Sequence, residues 1–223
     1  MGIARPLESP AHKIGGLYFN GIDAYVDCGY DESLNITDEI TIEAWVKPAQ
    51  LAVRQGIVDH ADGTHGYRLI VSDVDPTRFK IISDYVFDSS VESSSVLVNN
   101  EWQHLVGVIS GTNGWVYYNG QLVGSGTLPA MQSSAANLII GKRAYEGSCV
   151  VPFNGLISSV RIYNRALSQS EIELLYANPD YPLTDGLVLW FPMNEHSGNT
   201  VYDLSPYGNH GTIHNAVWNV RAL

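Results

Sequence analysis

Apolar side chains recur at every second position along most of the chain. Leu17-Tyr18-Phe19, Ala24 to Cys28, Thr41 to Val46, Tyr67 to Val71, Phe79 to Phe87, Leu105 to Ile109, Trp115 to Tyr118, Leu138 to Ile140 and Leu156 to Tyr163 are short runs rich in β-branched and aromatic residues. Turn dipeptides punctuate them: Asn20-Gly21, Asp62-Gly63, Asn113-Gly114 and Asn119-Gly120. A period of two between such turns predicts strands with one face on a core. Many short strands of this kind predict an all-β protein, an antiparallel β-sandwich or a closed barrel. The clearest hairpin joins Val116-Tyr117-Tyr118 to Gln121-Leu122-Val123 through Asn119-Gly120. The type I′ turn there needs positive φ at both central positions, which Asn and Gly tolerate.

One segment changes period. Ser168 lies three residues before Glu171, a capping box, and Ile172, Leu175 and Tyr176 follow at helical spacing before Asn178-Pro179 stops the pattern. This predicts one short C-terminal helix, expected to close one end of the sandwich. Beyond Asp180, Tyr181-Pro182-Leu183-Thr184 reads as a linker and Gly186 to Phe191 as a strand. Asn194 to Gly211 reads as a polar loop, and Ile213 to Trp218 as a last strand. The chain thus divides into an extension over residues 1–14, a core over 15–178 and C-terminal strands over 179–223.

Composition narrows the class. The 223 residues are 45% hydrophobic and 16% charged, which suits one globular domain. A net charge of −11 argues against a phosphate-tracking nucleic-acid binder, which needs basic stripes. No apolar run approaches the ~18 residues of a membrane span; the longest, Leu187 to Met193, is broken by Pro192. Met1 to Pro10 carries Arg5, Glu8 and two prolines, so it does not read as a secretory signal peptide. Two origins fit that start: a chain already trimmed of its leader, or a protein released by another route, as virion proteins are.

Several ordered motifs carry a resemblance. Gly16-Leu17-Tyr18-Phe19-Asn20-Gly21-Ile22-Asp23-Ala24-Tyr25-Val26 is similar to the opening strand of laminin-G-like, concanavalin A-like jelly rolls, and Thr41 to Val46 to their next signature. Trp102-Gln103-His104 with Val116 to Gly120 resembles the middle, and Phe153 to Ser168 the closing strand and helix cap. Gly186 to Pro192, Asp203-Leu204-Ser205 and Gly208 to Thr212 resemble the segment that usually precedes that core, although here it comes after. The tail then either completes its own jelly roll as a permuted element or donates a strand to a neighbouring subunit, making a homo-oligomer.

The resemblance implies further expectations. Such jelly rolls often hold one structural Ca2+ between opening and closing strands, and the matching positions are Asn20, Asp23 and Ser158. If the first strand pairs antiparallel with the closing one so that Tyr18 faces Ile162, Cys28 falls near position 152, close to Cys149. A disulfide and two reduced, buried cysteines are both open. Glucanases of the wider clan carry two glutamates flanking an aspartate at alternate positions, whereas Glu43 has no such neighbours on its strand, so no catalytic residue is assigned.

Other constellations are bland. Asp59-His60-Ala61-Asp62-Gly63-Thr64-His65 offers imidazoles and carboxylates, but it reads as a turn, and His210 and His214 are read in the same way. Asn35-Ile36-Thr37 is a glycosylation sequon. Sugars need aromatic platforms with a few polar groups, and Tyr67, Tyr85, Trp115 and Tyr117, with Arg68 and Asp84 nearby, are the candidates. The expected protein is a non-catalytic extracellular, cell-surface or virion-surface module whose partner is a glycan or a surface protein. Its rival is a structural capsid or envelope subunit assembling through its tail.

Overall fold

In this computed structural model, residues 15–84, 89–94, 97–143 and 151–219 are described. The chain runs through β1 (Leu17–Asn20), β2 (Tyr25–Asp27), β3 (Glu39–Pro48), β4 (Gly56–Ala61), β5 (Gly66–Val71), β6 (Phe79–Ser83), β7 (Ser90–Glu92) and β8 (Gln103–Ser110). It continues through β9 (Asn113–Tyr118), β10 (Gln121–Thr127), β11 (Ile139–Ile140), β12 (Asn154–Tyr163), helix α1 (Gln169–Ala177), β13 (Leu187–Phe191), β14 (Thr200–Val201), β15 (Gly211–His214) and β16 (Val217–Trp218). The strands form two antiparallel sheets. The first has the order β10-β9-β8-β3-β12-β1-β16 with β13 also on β12, and the second β14-β15-β2-β11-β4-β5-β6-β7.

Alternation builds the core between them. Ile40, Ile42, Ala44 and Val46 of the first sheet meet Leu69, Val71, Phe79 and Ile81 of the second, and all are buried. Asn119 and Gly120 turn the β9–β10 hairpin with φ of 49° and 79°, the predicted type I′ geometry. The Ser168–Glu171 capping box is present. The helix does not plug an end, however. It lies on the outer face of the first sheet, where Ile172 and Leu175 pack with Val106, Val108, Tyr117 and Tyr163 in a second, smaller core, and Tyr176 stacks on Trp45 at 5.7 Å. Much of that outer face is apolar, so it needs a cover more than the sandwich end does.

Several expectations change at the edges. Ile213 to Trp218 is two strands, not one: β15 pairs β2 in the second sheet, and after Asn215 (φ 53°) β16 pairs β1 in the first. With β13 on β12, the tail's strands pair within this chain. The closing-strand register also differs, since Tyr18 faces Leu156, not Ile162. The later half of β12 is taken by β13, which pushes β1 toward its beginning. Cys28 directly follows β2 of the second sheet, its N–H on the Leu138 carbonyl at 2.9 Å, as a free, buried thiol. The register that brought it near Cys149 does not hold, and Cys149 lies outside the described residues.

His60 belongs to β4 rather than to the turn after it. The residue is 1% exposed, and its ring stacks on Tyr67 at 5.0 Å. Burial lowers the imidazole from its ordinary 6.5 to about 4, partly countered by its own backbone and by Asp62. Between those values the unfolded chain binds the proton and the folded one does not. His60 therefore supports the fold fully above pH 6.5, and that support is lost as pH falls to about 4, with a limit on the order of 3 kcal/mol. Denaturant unfolding should show His60→Phe losing less stability than the native chain between those pH values. Parallel curves for the two would refute the assignment.

Candidate functional site

The outer face of the first sheet carries charge where only apolar contact would be expected. Arg161 on β12 faces Glu43 on β3, and both are 0% exposed. Arg161 Nη1 donates to Glu43 Oε1 at 2.7 Å, and His104 Nε2 approaches the same oxygen at 3.0 Å. A carboxylate only accepts, so this imidazole nitrogen carries the proton. Burial raises the Glu43 acid, but the Arg161 charge and the His104 hydrogen bond outweigh it and hold the carboxyl below its ordinary value. Glu43 is thus a structural carboxylate, sealed from solvent.

Arg161 also reaches outward. Its Nη2 donates to the Pro179 carbonyl, and its guanidinium carbon lies 5.7 Å from the centre of the Trp190 ring. One arginine thereby ties β3, the segment after α1 and β13 together. Next to it, β12 changes partners. Its first half pairs with β1 as far as Ile157↔Leu17, and its second half with β13 from Val160↔Phe191. Ser158 and Ser159 lie between, at a bulge where Ser159 adopts φ 46°. Pro192, which has no N–H to extend a ladder, ends β13 there. Gly16 packs so tightly that a Cβ would lie 2.7 Å from the Ile157 carbonyl oxygen.

The mismatch of strand ends opens a cleft of about 340 Å3 lined by Ser159, Asp180, Trp190, Asn194, His196 and Leu204, with Gly15, Pro179 and Pro192. Its size is at the lower end of the ~300–1,000 Å3 of ligand pockets. Trp190 is partly exposed, while Asp180, Asn194 and His196 are exposed. Asp203 holds the surrounding loop. Its Oδ1 accepts the N–H groups of Trp190 (2.8 Å) and Ser205 (2.9 Å), and its Oδ2 accepts Asn209 N–H (2.8 Å) and Ser205 Oγ–H (2.7 Å). Leu204 N–H in turn bonds the Trp190 carbonyl at 2.9 Å. The Trp190 backbone is therefore held on both its N–H and its carbonyl by the Asp203–Leu204 loop.

The residues expected to bind sugar are not brought together. Tyr67 is a core residue, 0% exposed, whose hydroxyl donates to the Leu34 carbonyl at 2.8 Å. Arg68 points to the opposite face of the second sheet and is buried against Asp59, 3.2 Å away. Asp84 is buried and accepts the N–H groups of Gly66 and Gln132, so it ties loops together. Tyr85 lies outside the described residues. Trp115 and Tyr117 do share a surface, but on the first sheet, in a groove of about 320 Å3 beside the start of α1 with Glu171 and Ser168. Strand alternation assigns these aromatics to faces, but it carries no information on which face another element covers.

The calcium set separates as well. Asn20 Oδ1 accepts the N–H groups of Ile22, Asp23 and Ala24, its amide donates to Asp23 Oδ1 at 2.8 Å, and Asp23 Oδ2 accepts from Asn215 at 2.9 Å. Asn20 faces Asn154, whereas Ser158 lies four residues further along β12, roughly 13 Å away at 3.3 Å per residue. Oxygens already holding donors, with the third ligand at the other end of β1, do not fit a calcium cage. Among the described residues no group of three or more His, Cys, Asp or Glu could hold a metal ion, and no helix is long and apolar enough to cross a membrane.

The cleft residues escape a sequence-based search because they are scattered over a strand, a helix end, the next strand and the predicted loop, where Asn194, His196 and Leu204 fall. The usable signals are the paired serines in an otherwise bulky strand and the proline directly after Trp190-Phe191.

Comparison with known proteins bears on the fold. The family model of the concanavalin A-like lectin/glucanases superfamily matches residues 20–173. No protein of curated function matches the chain. Among solved structures, a candidate carbohydrate-binding protein from Bacteroides ovatus ATCC 8483 superposes with a TM-score of 0.71 at 16% identity, covering 93% of this chain and 61% of that one. The chain therefore spans less than two thirds of that relative. Domain 4 of AbnA, an extracellular GH43 arabinanase from Geobacillus stearothermophilus solved with arabinotriose, gives 0.60 at 26% identity over 74% of this chain and 78% of that domain. The CBM40 of a Ruminococcus gnavus IT-sialidase bound to α2,3-sialyllactose gives 0.54 at 15% identity over 70% and 96%.

Removing either member of the buried pair strands a charge, which typically costs about 3–5 kcal/mol. Glu43→Ala and Arg161→Ala should each lower unfolding free energy by that order, while Glu43→Ala combined with Arg161→Met recovers part of it. Single variants within ~1 kcal/mol of the native chain would contradict the pairing. Asp203→Ala should cost about 2–4 kcal/mol through its lost buried hydrogen bonds, read by the same denaturant titration.

Proposed function

The chain belongs to the concanavalin A-like lectin/glucanase superfamily, and from that premise we propose that it is a non-catalytic carbohydrate-binding module, working at a cell, secreted-enzyme or virion surface, whose sugar site is the Trp190 cleft. The observation that carries this reading is the cleft's composition on a rigid frame. A partly exposed tryptophan shares the cleft with a carboxylate, an amide and an imidazole. Sugar rings present apolar C–H faces and rims of hydroxyls, which such a set meets by stacking and by planar hydrogen bonds. Arg161 behind the indole and Asp203 on its backbone keep the platform from turning. Preorganisation of this kind saves the entropy a mobile side chain would lose on binding.

The relatives supply a second line of support. Structures named for carbohydrate binding share this architecture, and an arabinanase domain solved with an oligosaccharide shares it at 26% identity. The non-catalytic part of the reading rests on Glu43, whose carboxylate is committed to Arg161 and His104 out of solvent's reach. The rival reading, a structural subunit assembling through its tail, draws less support, because β13, β15 and β16 are occupied in their own sheets.

A glycan array probed with the native chain and with Trp190→Ala tests the proposal. The native chain should bind at least one saccharide series. The variant, checked for an unchanged fold by its melting profile, should bind it at least tenfold more weakly, about 1.4 kcal/mol. Equal binding by the two would remove the cleft as the site.

A further inference from the structure

The chemistry of the cleft also narrows the class of sugar it would hold, an inference that rests on the sugar-binding reading of the same site. Eight of the nine lining residues, all but Ser159, lie outside residues 20–173, the span matched by the family model. The cleft's selectivity is therefore built mainly by this chain's own tail and is to be read from its own side chains. Among the described lining residues Asp180 carries the full formal charge, and it is negative and exposed. No lysine or arginine is among them. Arg161, which passes beneath Trp190 and Pro179, is 0% exposed and has its charge committed to Glu43 at 2.7 Å. The next residue after Asn194 is a further carboxylate, Glu195, and the whole chain carries −11.

An acidic sugar entering such a cleft would bring its carboxylate beside Asp180, with no lysine or arginine among the described lining residues to take it. Recognition of a carboxylate calls for the opposite arrangement, a guanidinium fork or a cluster of backbone N–H groups. A neutral sugar uses the same Asp180 well, since an ionised carboxylate accepts from two adjacent hydroxyls at once. Asn194 then supplies both a donor and an acceptor, and Trp190 the apolar platform. We infer that the Trp190 cleft selects uncharged saccharides and excludes sialic-acid and uronic-acid sugars, with Asp180 as the residue that sets this choice. The negative field of the chain adds to the discrimination at low salt and weakens as salt screens it.

The test uses the full chain on an array that pairs each neutral saccharide with an acidic counterpart. Lactose stands beside 3′-sialyllactose, and arabinotriose and xylotriose beside glucuronic-acid-substituted oligosaccharides. The native chain should favour the neutral member of its preferred pair at least tenfold. Asp180→Lys, an exposed substitution expected to leave the melting profile unchanged, should narrow that ratio at least threefold or reverse it, and Asp180→Asn should fall between. A native chain that binds the acidic member as well or better, with binding lost in Asn194→Ala, would overturn the selectivity while leaving the sugar site standing. A ratio unmoved by Asp180→Lys would overturn the role of Asp180. Absence of any binding sensitive to the cleft variants would sink the sugar-binding reading itself.

Discussion

A guanidinium sealed from water must have its charge matched, and in this protein Arg161 sets that condition. It sits on β12, where β3 and β13 both pair, fully buried, with Glu43 and His104 on one side and Pro179 and Trp190 on the other. An apolar pair of similar volume would serve stability as well or better. What the ion pair adds is direction, because a guanidinium fork fixes several partners at defined angles, whereas methyl groups do not. The chain segment leaving α1 and the indole of β13 are two of those partners. This one side chain thereby sets the position of the cleft.

The second constraint is topological. Strand β12 is ten residues long and is shared along one edge by two shorter strands, β1 and β13, that come from opposite ends of the sequence. Two strand ends meeting on one edge cannot both continue, so the ladder stops over Ser158 and Ser159 and space is left above them. Ligand sites in other folds recur where strand connections diverge in this way. Here Gly15 and Pro192 bound the gap, and a bulge at Ser159 turns the local backbone toward it. The tail strands thus complete the first sheet and furnish most of the cleft wall.

How much of this is legible in the sequence depends on the range of the interaction. The Asn119-Gly120 turn, the Ser168–Glu171 cap and the alternation in Thr41 to Val46 are local, and each is legible, because turn stereochemistry and pleat act within a few residues. The two-sheet architecture is their sum. Register and coverage are not legible in the same way. Tyr18 can be paired with the right strand but not the right residue, since β13, more than 20 residues downstream of β12, decides where β1 fits. Tyr67 and Tyr117 carry identical signatures, yet one lies in the core and the other lines a groove beside the helix. The Asp203-Leu204-Ser205 motif is visible as a resemblance, but its hydrogen bonds to Trp190 and Asn209 have no local signal.

Fold membership alone does not decide what such a sandwich does, since function is carried by the site grafted on it. The central claim is therefore spatial: the surface that matters is the gap over Ser159, framed by the tail, and not the Arg68–Asp84 region that strand alternation suggests. Amide and indole chemical-shift mapping of the isotope-labelled chain, titrated with the best-binding saccharide, tests this most directly. Binding in the cleft should perturb the Trp190 indole N–H and Asp180, Asn194 and His196 most, with the effect fading beyond Leu204. Perturbations centred on Arg68, Asp84 and the neighbouring strands of the second sheet, with Trp190 silent, would contradict it.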